Sequence, residues 1–149
     1  MEKIASPCHC AVLRKASRHV SQVYDAALAA TGLKTTQFSL LSAIDRSKDA
    51  TLTVGELAEI MVMDRSTLGH NLRPLEKAGL LRLAANKVDA RSRLIVLTRK
   101  GRAKLAAARV LWSQMQGRFE SRFGTRPSAE LRRALLALAT TDFSAASRN

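Results

Sequence analysis

The chain has 149 residues, 46% hydrophobic but only 4% aromatic, which is enough for one domain with a core of Leu, Val, Ile and Ala and favours helices over a β-sandwich. Lys and Arg total 25 against 12 acidic residues, a formal charge of +13 that calls for a polyanionic partner. Nucleic acid leads; a membrane is disfavoured, because no helix pairs a basic face with an aromatic insertion face and no apolar run approaches the roughly 20 residues that span a bilayer.

Residues 1–15 lack an apolar signal core, so a cytoplasmic protein is expected. Residues 8–30 read as one long helix, with Val12, Leu13, Ala16, Val20, Val23, Ala27 and Leu28 at helical spacing and Gly32 as its stop. A second helix is predicted over 36–46, then a polar turn at Ser47-Lys48-Asp49. Thr53 and Glu56 have capping-box spacing and open a short helix with Val54, Leu57, Ala58 and Met61 inward. Asp64 is the expected cap of the next helix, 65–78, which turns Leu68, Leu72 and Leu75 inward, bends at Pro74 and stops at Gly79. Leu80–Ala85 and Arg93–Leu97 read as two strands joined by the polar tip 86–92. Thr98 caps a long helix to about Phe123; Gly124 to Pro127 break the chain; a last helix is expected over about 128–141, with a frayed tail at 144–149.

Two short helices with a tight break, followed by a basic hairpin, have the layout of a winged helix-turn-helix. On helix 65–78 the side away from the leucines is read as Arg65, Ser66, Thr67, Gly69, His70, Asn71 and Arg73, residue types that read base edges or hold phosphates. A solvated face mixes charge signs, whereas no acidic residue falls between Arg65 and Leu75. At the hairpin, Lys87, Arg91 and Arg93 supply cations, and Asp89 is expected to aim Arg91 by an ion pair. The first and last helices carry wide apolar faces that one small module does not cover, so a symmetric homodimer is expected.

The segments ELAEIMVMDRSTLGHNLRPLEKAGLL, DARSR and LTRKG resemble the MarR family of bacterial transcription regulators. The order and spacing of a helix with "eLA", a recognition helix, an "LE-aGL" end, a D-x-R wing and a closing "LT-x-x-G" carry the likeness. It implies a single mainly α domain: a winged helix-turn-helix over 36–98 with a two-stranded β-wing, flanked by dimerisation helices at 8–34 and 99–143. It also implies a homodimer on a palindromic operator in double-stranded DNA, its recognition helices in major grooves on the order of 34 Å apart. Carried over by position, Ser66, Thr67, His70 and Asn71 are base readers, Arg65 and Arg73 phosphate or base contacts, and Arg91 the wing contact oriented by Asp89.

The pattern Cys10, Ser17-Arg18, Tyr24 is similar to the organic-hydroperoxide sensors of that family, in which a cysteine near the start of the first helix is oxidised beside tyrosines of the partner chain. One tyrosine position holds Arg14 here, and an arginine stabilises a thiolate by charge. Cys10 and Tyr24 are 14 residues apart, about 21 Å along a helix, so they meet only across two chains. Cys8 is a candidate resolving thiol, and both cysteines also read as small apolar residues at a helix start. Cys8, His9 and Cys10 follow one another too closely to converge on one metal ion, so no metal or cofactor is expected. The other signal considered is a small anionic aromatic ligand held by Arg14, Arg18, His19, Phe38, Trp112 and Met115. The expected function is that of a non-enzymatic repressor; the alternatives are a nonspecific basic nucleic-acid-binding protein and a small thiol peroxidase on Cys10, the latter without a C-x-x-C motif or a nearby general base.

Overall fold

The computed structural model describes residues 7–144, and its contacts divide the chain into two compact units that meet in sequence between Trp112 and Ser113. In the first unit α1 (His9–Leu28) runs into a 3-10 turn, Ala29–Thr31, and stops at Gly32, whose φ of 75° is the left-handed conformation that favours glycine. The carboxylate of Asp25 accepts the backbone N–H of Thr35 at 2.6 Å, capping α2 (Thr35–Arg46) from a neighbouring helix. That bond is the main reason the Asp25 carboxyl lies below its ordinary pKa.

Helix α2 is the centre of the unit. Phe38, Leu40, Leu41 and Ile44 are buried along it, and it packs against α1, the helix-turn-helix and the sheet. Each fully buried Leu or Ile contributes roughly 1.5–3 kcal/mol relative to exposure, and Leu28, Leu57, Leu68, Leu75, Leu81, Ile95, Leu97 and Leu105 complete the core. Asp45 on α2 accepts a hydrogen bond from Arg109 at 2.7 Å.

The sheet has one strand more than the sequence implied. Thr51–Thr53 forms β1, which pairs antiparallel with β3 (Arg93–Leu97) at Thr51–Val96 and Thr53–Leu94; β3 also pairs with β2 (Leu81–Ala85), so it lies between the other two. Thr53 then turns directly into α3 (Val54–Met61), and α4 (Arg65–Lys77) follows. Since β1 anchors the entry to α3 on the middle strand of the wing, the wing and the helix-turn-helix share one sheet.

Helix α5 (Arg99–Phe123) leaves β3 through Thr98, whose hydroxyl oxygen accepts the Gly101 N–H at 3.0 Å, the cap expected from sequence. Gly101 is a close approach that tolerates no side chain: a Cβ there would lie 1.9 Å from the Leu80 carbonyl oxygen and 2.8 Å from Leu97 Cδ1. Gly101→Ala must separate α5 from Leu80 and from the end of β3. We expect a loss of about 3 kcal/mol, the upper end for overpacking, read as a fall in Tm of roughly 10 °C. A Tm unchanged within 2 °C or so, roughly the effect of 0.5 kcal/mol, would mean the contact is not tight in solution.

The second unit holds the end of α5 from Ser113 and α6 (Thr125–Thr140). Gly124, with φ of 99°, makes the break, and α6 begins immediately after it, three residues earlier than expected. Pro127 falls in the first turn, where its missing N–H has no helical partner to lose, and the Ser128 hydroxyl donates to the Gly124 carbonyl at 2.6 Å. The Phe119 and Phe123 rings lie 5.6 Å apart. Of the tail read as frayed, residues 145–149 lie outside the described residues. Leu131, Leu135, Leu136 and Leu138 on α6 are exposed, as are Val12, Leu13 and Val23 on α1.

Candidate nucleic-acid interface

The helix-turn-helix is assembled by local hydrogen bonds that the sequence announces. Glu56 and Thr53 form the expected capping box: Thr53 N–H donates to Glu56 Oε2 at 2.7 Å, and Glu56 N–H to Thr53 Oγ1 at 3.1 Å. The Thr53 N–H, and after it the Thr53 hydroxyl donating to Glu56 Oε2 at 2.8 Å, hold the Glu56 carboxyl below its ordinary pKa. The turn is closed by Val62 in the left-handed region, φ 51°, an unusual conformation for a β-branched residue. Met63 N–H returns to the Ala58 carbonyl at 2.9 Å, which points the next residue, Asp64, at the start of α4. Asp64 caps α4 as expected, accepting the Thr67 N–H at 2.8 Å.

With Leu68, Leu72 and Leu75 buried, the 100° step of a helix places Ser66, His70, Arg73 and Lys77 farthest from the core, and all four are exposed. Lys77 was not read as part of this row, though its spacing from Arg73 places it there. Thr67 and Arg65 are exposed on the two flanks. Arg65 leans back over α3, its Nη2 3.5 Å from where a Cβ on Gly55 would sit. Asn71, expected to face outward, is instead half-buried, and its amide donates to the Thr67 carbonyl at 2.8 Å.

Gly69 carries a further signal. A side chain there would meet nothing within 4 Å, and its φ is not positive, so neither packing nor backbone conformation requires the glycine. Glycine inside a helix costs about 1 kcal/mol relative to alanine. The bare backbone therefore opens a gap only toward whatever lies outside the protein.

In the wing, Asn86 and Ser92 brace the tip, Asn86 Nδ2 donating to Ser92 Oγ at 2.7 Å; sequence reasoning passed over both. Asp89 does not pair with the Arg91 guanidinium. Its carboxylate accepts the Arg91 backbone N–H at 3.0 Å, and its carbonyl accepts the Ser92 N–H at 3.1 Å. The expected ion pair is replaced by a turn-shaping role, common for an aspartate bonded to the backbone two residues on. Lys87, Arg91 and Arg93 are exposed, and Val88 at the tip is 97% exposed.

Of the residues read as a signal site, Cys10 and Tyr24 do not meet within one chain. Cys8 is the N-cap of α1, Cys10 lies in its first turn, both are exposed, and neither forms a disulfide. Tyr24 is about four helical turns from Cys10. Arg14 and Arg18 are exposed on α1. Phe38 and Trp112 stack on each other, ring centroids 5.9 Å apart, with Phe38 buried and Trp112 still 38% exposed. A cavity of about 220 Å³ in the first unit is bordered by Leu33, Leu75, Leu80, Lys100 and Lys104, and by none of the residues read as a ligand lining. Its two lysines donate to helix-end carbonyls, Lys100 to Ala78 at 2.7 Å and Lys104 to Thr31 at 2.9 Å. Among the described residues, no three His, Cys, Asp or Glu side chains group as metal ligands, and no helix is long and apolar enough to cross a membrane.

The sequence pattern of the MarR family matches residues 31–92, from the 3-10 turn after α1 to the tip of the wing, short of β3. The structure superposes on the M. tuberculosis transcriptional regulator MosR in complex with DNA, with 39% identity, 89% of this chain and 93% of that one covered, and a TM-score of 0.80. This chain belongs to the MarR family. Its similarity to the transcriptional activatory protein BadR of Rhodopseudomonas palustris is 34% identity over 77 residues, 51% of this chain and 44% of BadR, so the match spans less than half of that relative. A cysteine-to-serine mutant of MarR from E. coli, complexed with operator DNA, shares the fold with a TM-score of 0.76 at 21% identity over 85% of this chain. The relatives are transcription regulators, and family membership sets aside the thiol-peroxidase alternative.

Proposed function

We propose that this protein is a homodimeric repressor that reads a palindromic operator in double-stranded DNA, acts in the cytoplasm, and is released when Cys10 is oxidised. The observation that carries the DNA-reading assignment is α4 itself: an N-capped helix whose outermost row is Ser66, His70, Arg73 and Lys77, beside a hairpin with exposed Lys87, Arg91 and Arg93. Hydroxyl and imidazole groups give base contacts; the cations give phosphate contacts and on-rate. The wing arginines suit the backbone or the minor groove. Oxidation is preferred to an anionic aromatic ligand because Cys10 is exposed at a helix start, while Phe38 is buried in the core with Trp112 stacked on it.

The test is selection of bound duplexes from a random pool, followed by a salt titration. The expected result is one inverted repeat, bound 10³-fold or more tighter than random duplex. Equal affinity for every duplex would favour a nonspecific basic protein. Gly69→Ala gives a sharper local check. It should stabilise α4 by roughly 0.5–1 kcal/mol yet weaken operator binding, because the added methyl group enters the gap next to the DNA. Unchanged or tighter binding by this variant would place Gly69 away from the DNA.

A further inference from the structure

The N-terminus of α4 contains a hydrogen-bond arrangement that fixes the direction in which one base reader can work. The Thr67 hydroxyl donates to Asp64 Oδ2 at 2.6 Å, while the Thr67 backbone N–H donates to Asp64 Oδ1 at 2.8 Å. Asp64 is exposed, and the Thr67 hydroxyl followed by the Thr67 N–H hold its carboxyl below the ordinary range, so near neutral pH it is an acceptor only. The proton between the two side chains is therefore threonine's own. A hydroxyl has one proton and two acceptor lone pairs. An unconstrained serine or threonine swivels and serves either kind of base edge; Ser66, next to it, has no such partner among the described residues. Thr67 has spent its proton inside the protein. What it still offers outward is lone pairs.

Asn71 adds to this arrangement. The atom it aims at the Thr67 carbonyl must be Nδ2, because a carbonyl only accepts; the distance is 2.8 Å. The bond joins Asn71 to the backbone of the residue whose side chain is already fixed at Asp64. Thr67 is thereby tied at its N–H, its hydroxyl and its carbonyl.

We infer that Thr67 reads the operator as a fixed hydrogen-bond acceptor, selecting an amino-bearing base, adenine through N6 or cytosine through N4, at one position of each half-site, and that Asp64 sets this polarity. The inference rests on α4 being the DNA-reading helix and goes further by naming the chemical class of base. Thr67 touches the base; Asp64 is a positioning residue that acts through it. In the major groove, adenine and cytosine present donors where guanine and thymine present carbonyl acceptors. On the strand Thr67 faces, that position should therefore be A or C, favoured roughly tenfold, the scale of one base contact.

The experiment repeats the random-pool selection with the wild-type chain, Asp64→Asn and Thr67→Val, after thermal melts show that each variant folds. Asparagine caps a helix about as well as aspartate, but its amide nitrogen donates to the Thr67 oxygen and releases the hydroxyl proton. The preference should then move from A or C to G or T at that one position, with the remainder of the site unchanged. Thr67→Val keeps the shape and the methyl contact and should flatten the same position. If Asp64→Asn binds too weakly to select any site, Thr67→Val decides: a flattened position upholds the inference and an unchanged one overturns it. A wild-type operator that both variants reproduce base for base overturns the inference and leaves the DNA-reading assignment standing. A wild-type pool with no common sequence overturns both.

Discussion

Charging the exposed face of α6 should convert the protein to a monomer and remove operator binding. Leu131 and Leu135 lie four residues apart on one face, with Leu138 the next along it, and remain 37%, 41% and 39% exposed. On α1, Val12, Leu13 and Val23 are similarly uncovered. Scattered exposed leucines are ordinary, but a row of them at helical spacing on α6 supports the proposed association surface. A second copy of the chain is the occupant that the proposed palindromic operator requires. In Leu131→Asp with Leu135→Asp, two carboxylates would have to be buried without partners, so association fails. Each monomer then grips one half-site without the gain that linking two half-sites provides. Affinity should fall about 10³-fold or more, to the level of nonspecific binding. Sedimentation reads the mass, and circular dichroism should show undiminished helix, because both side chains are exposed on α6. A wild-type chain that sediments as a monomer, or a double variant that stays dimeric, would end the dimer proposal.

Most of the winged module was legible because local chemistry determines it. Capping at Thr53, Asp64 and Thr98 and the stops at Gly32 and Gly79 are each decided within about four residues, and each appears where the sequence placed it. Strand β1 was hidden for the opposite reason. Three residues, Thr51–Thr53, have no periodicity to show, and their partners, Val96, Ile95 and Leu94, are more than forty positions away. The early start of α6 was missed because Gly124 and Pro127 look alike as breakers: one makes the turn through a positive φ, while the other sits in the first helical turn. At the interface, Asn71 reads as facing outward and Asp89 as an ion-pair partner of Arg91. Asn71 and Asp89 are both hydrophilic, and both spend hydrogen bonds on nearby backbone. The flank of α4 and the shape of the wing depend on those bonds, which composition does not reveal.

Cys10→Ser should leave operator affinity unchanged under reducing conditions and abolish the release of DNA by organic peroxide. The thiol is exposed in the first turn of α1, and Arg14 lies four residues on, one helical turn away. In the proposed reaction, the thiolate attacks the terminal oxygen of the hydroperoxide; the O–O bond breaks, the alkoxide leaves and takes a proton from water to become an alcohol, and Cys10 becomes a sulfenic acid. The new polar hydroxyl must be accommodated on a helix whose exposed apolar residues, Val12 and Leu13, belong to the proposed dimer surface. Oxidation would thus disturb the spacing of two recognition helices without touching either. Serine preserves the size of the side chain and cannot be oxidised in this way, so the variant should stay on its operator at peroxide concentrations that displace the wild type. Cys8→Ser separates the roles of the two thiols: it should still be released, and the released form should be a sulfenic acid rather than a disulfide, as read by mass after trapping with a sulfenic-acid reagent. Release of Cys10→Ser at the wild-type peroxide concentration, or a wild type that peroxide never displaces, would remove Cys10 as the sensor while leaving the DNA-reading surface of α4 and the wing unaffected.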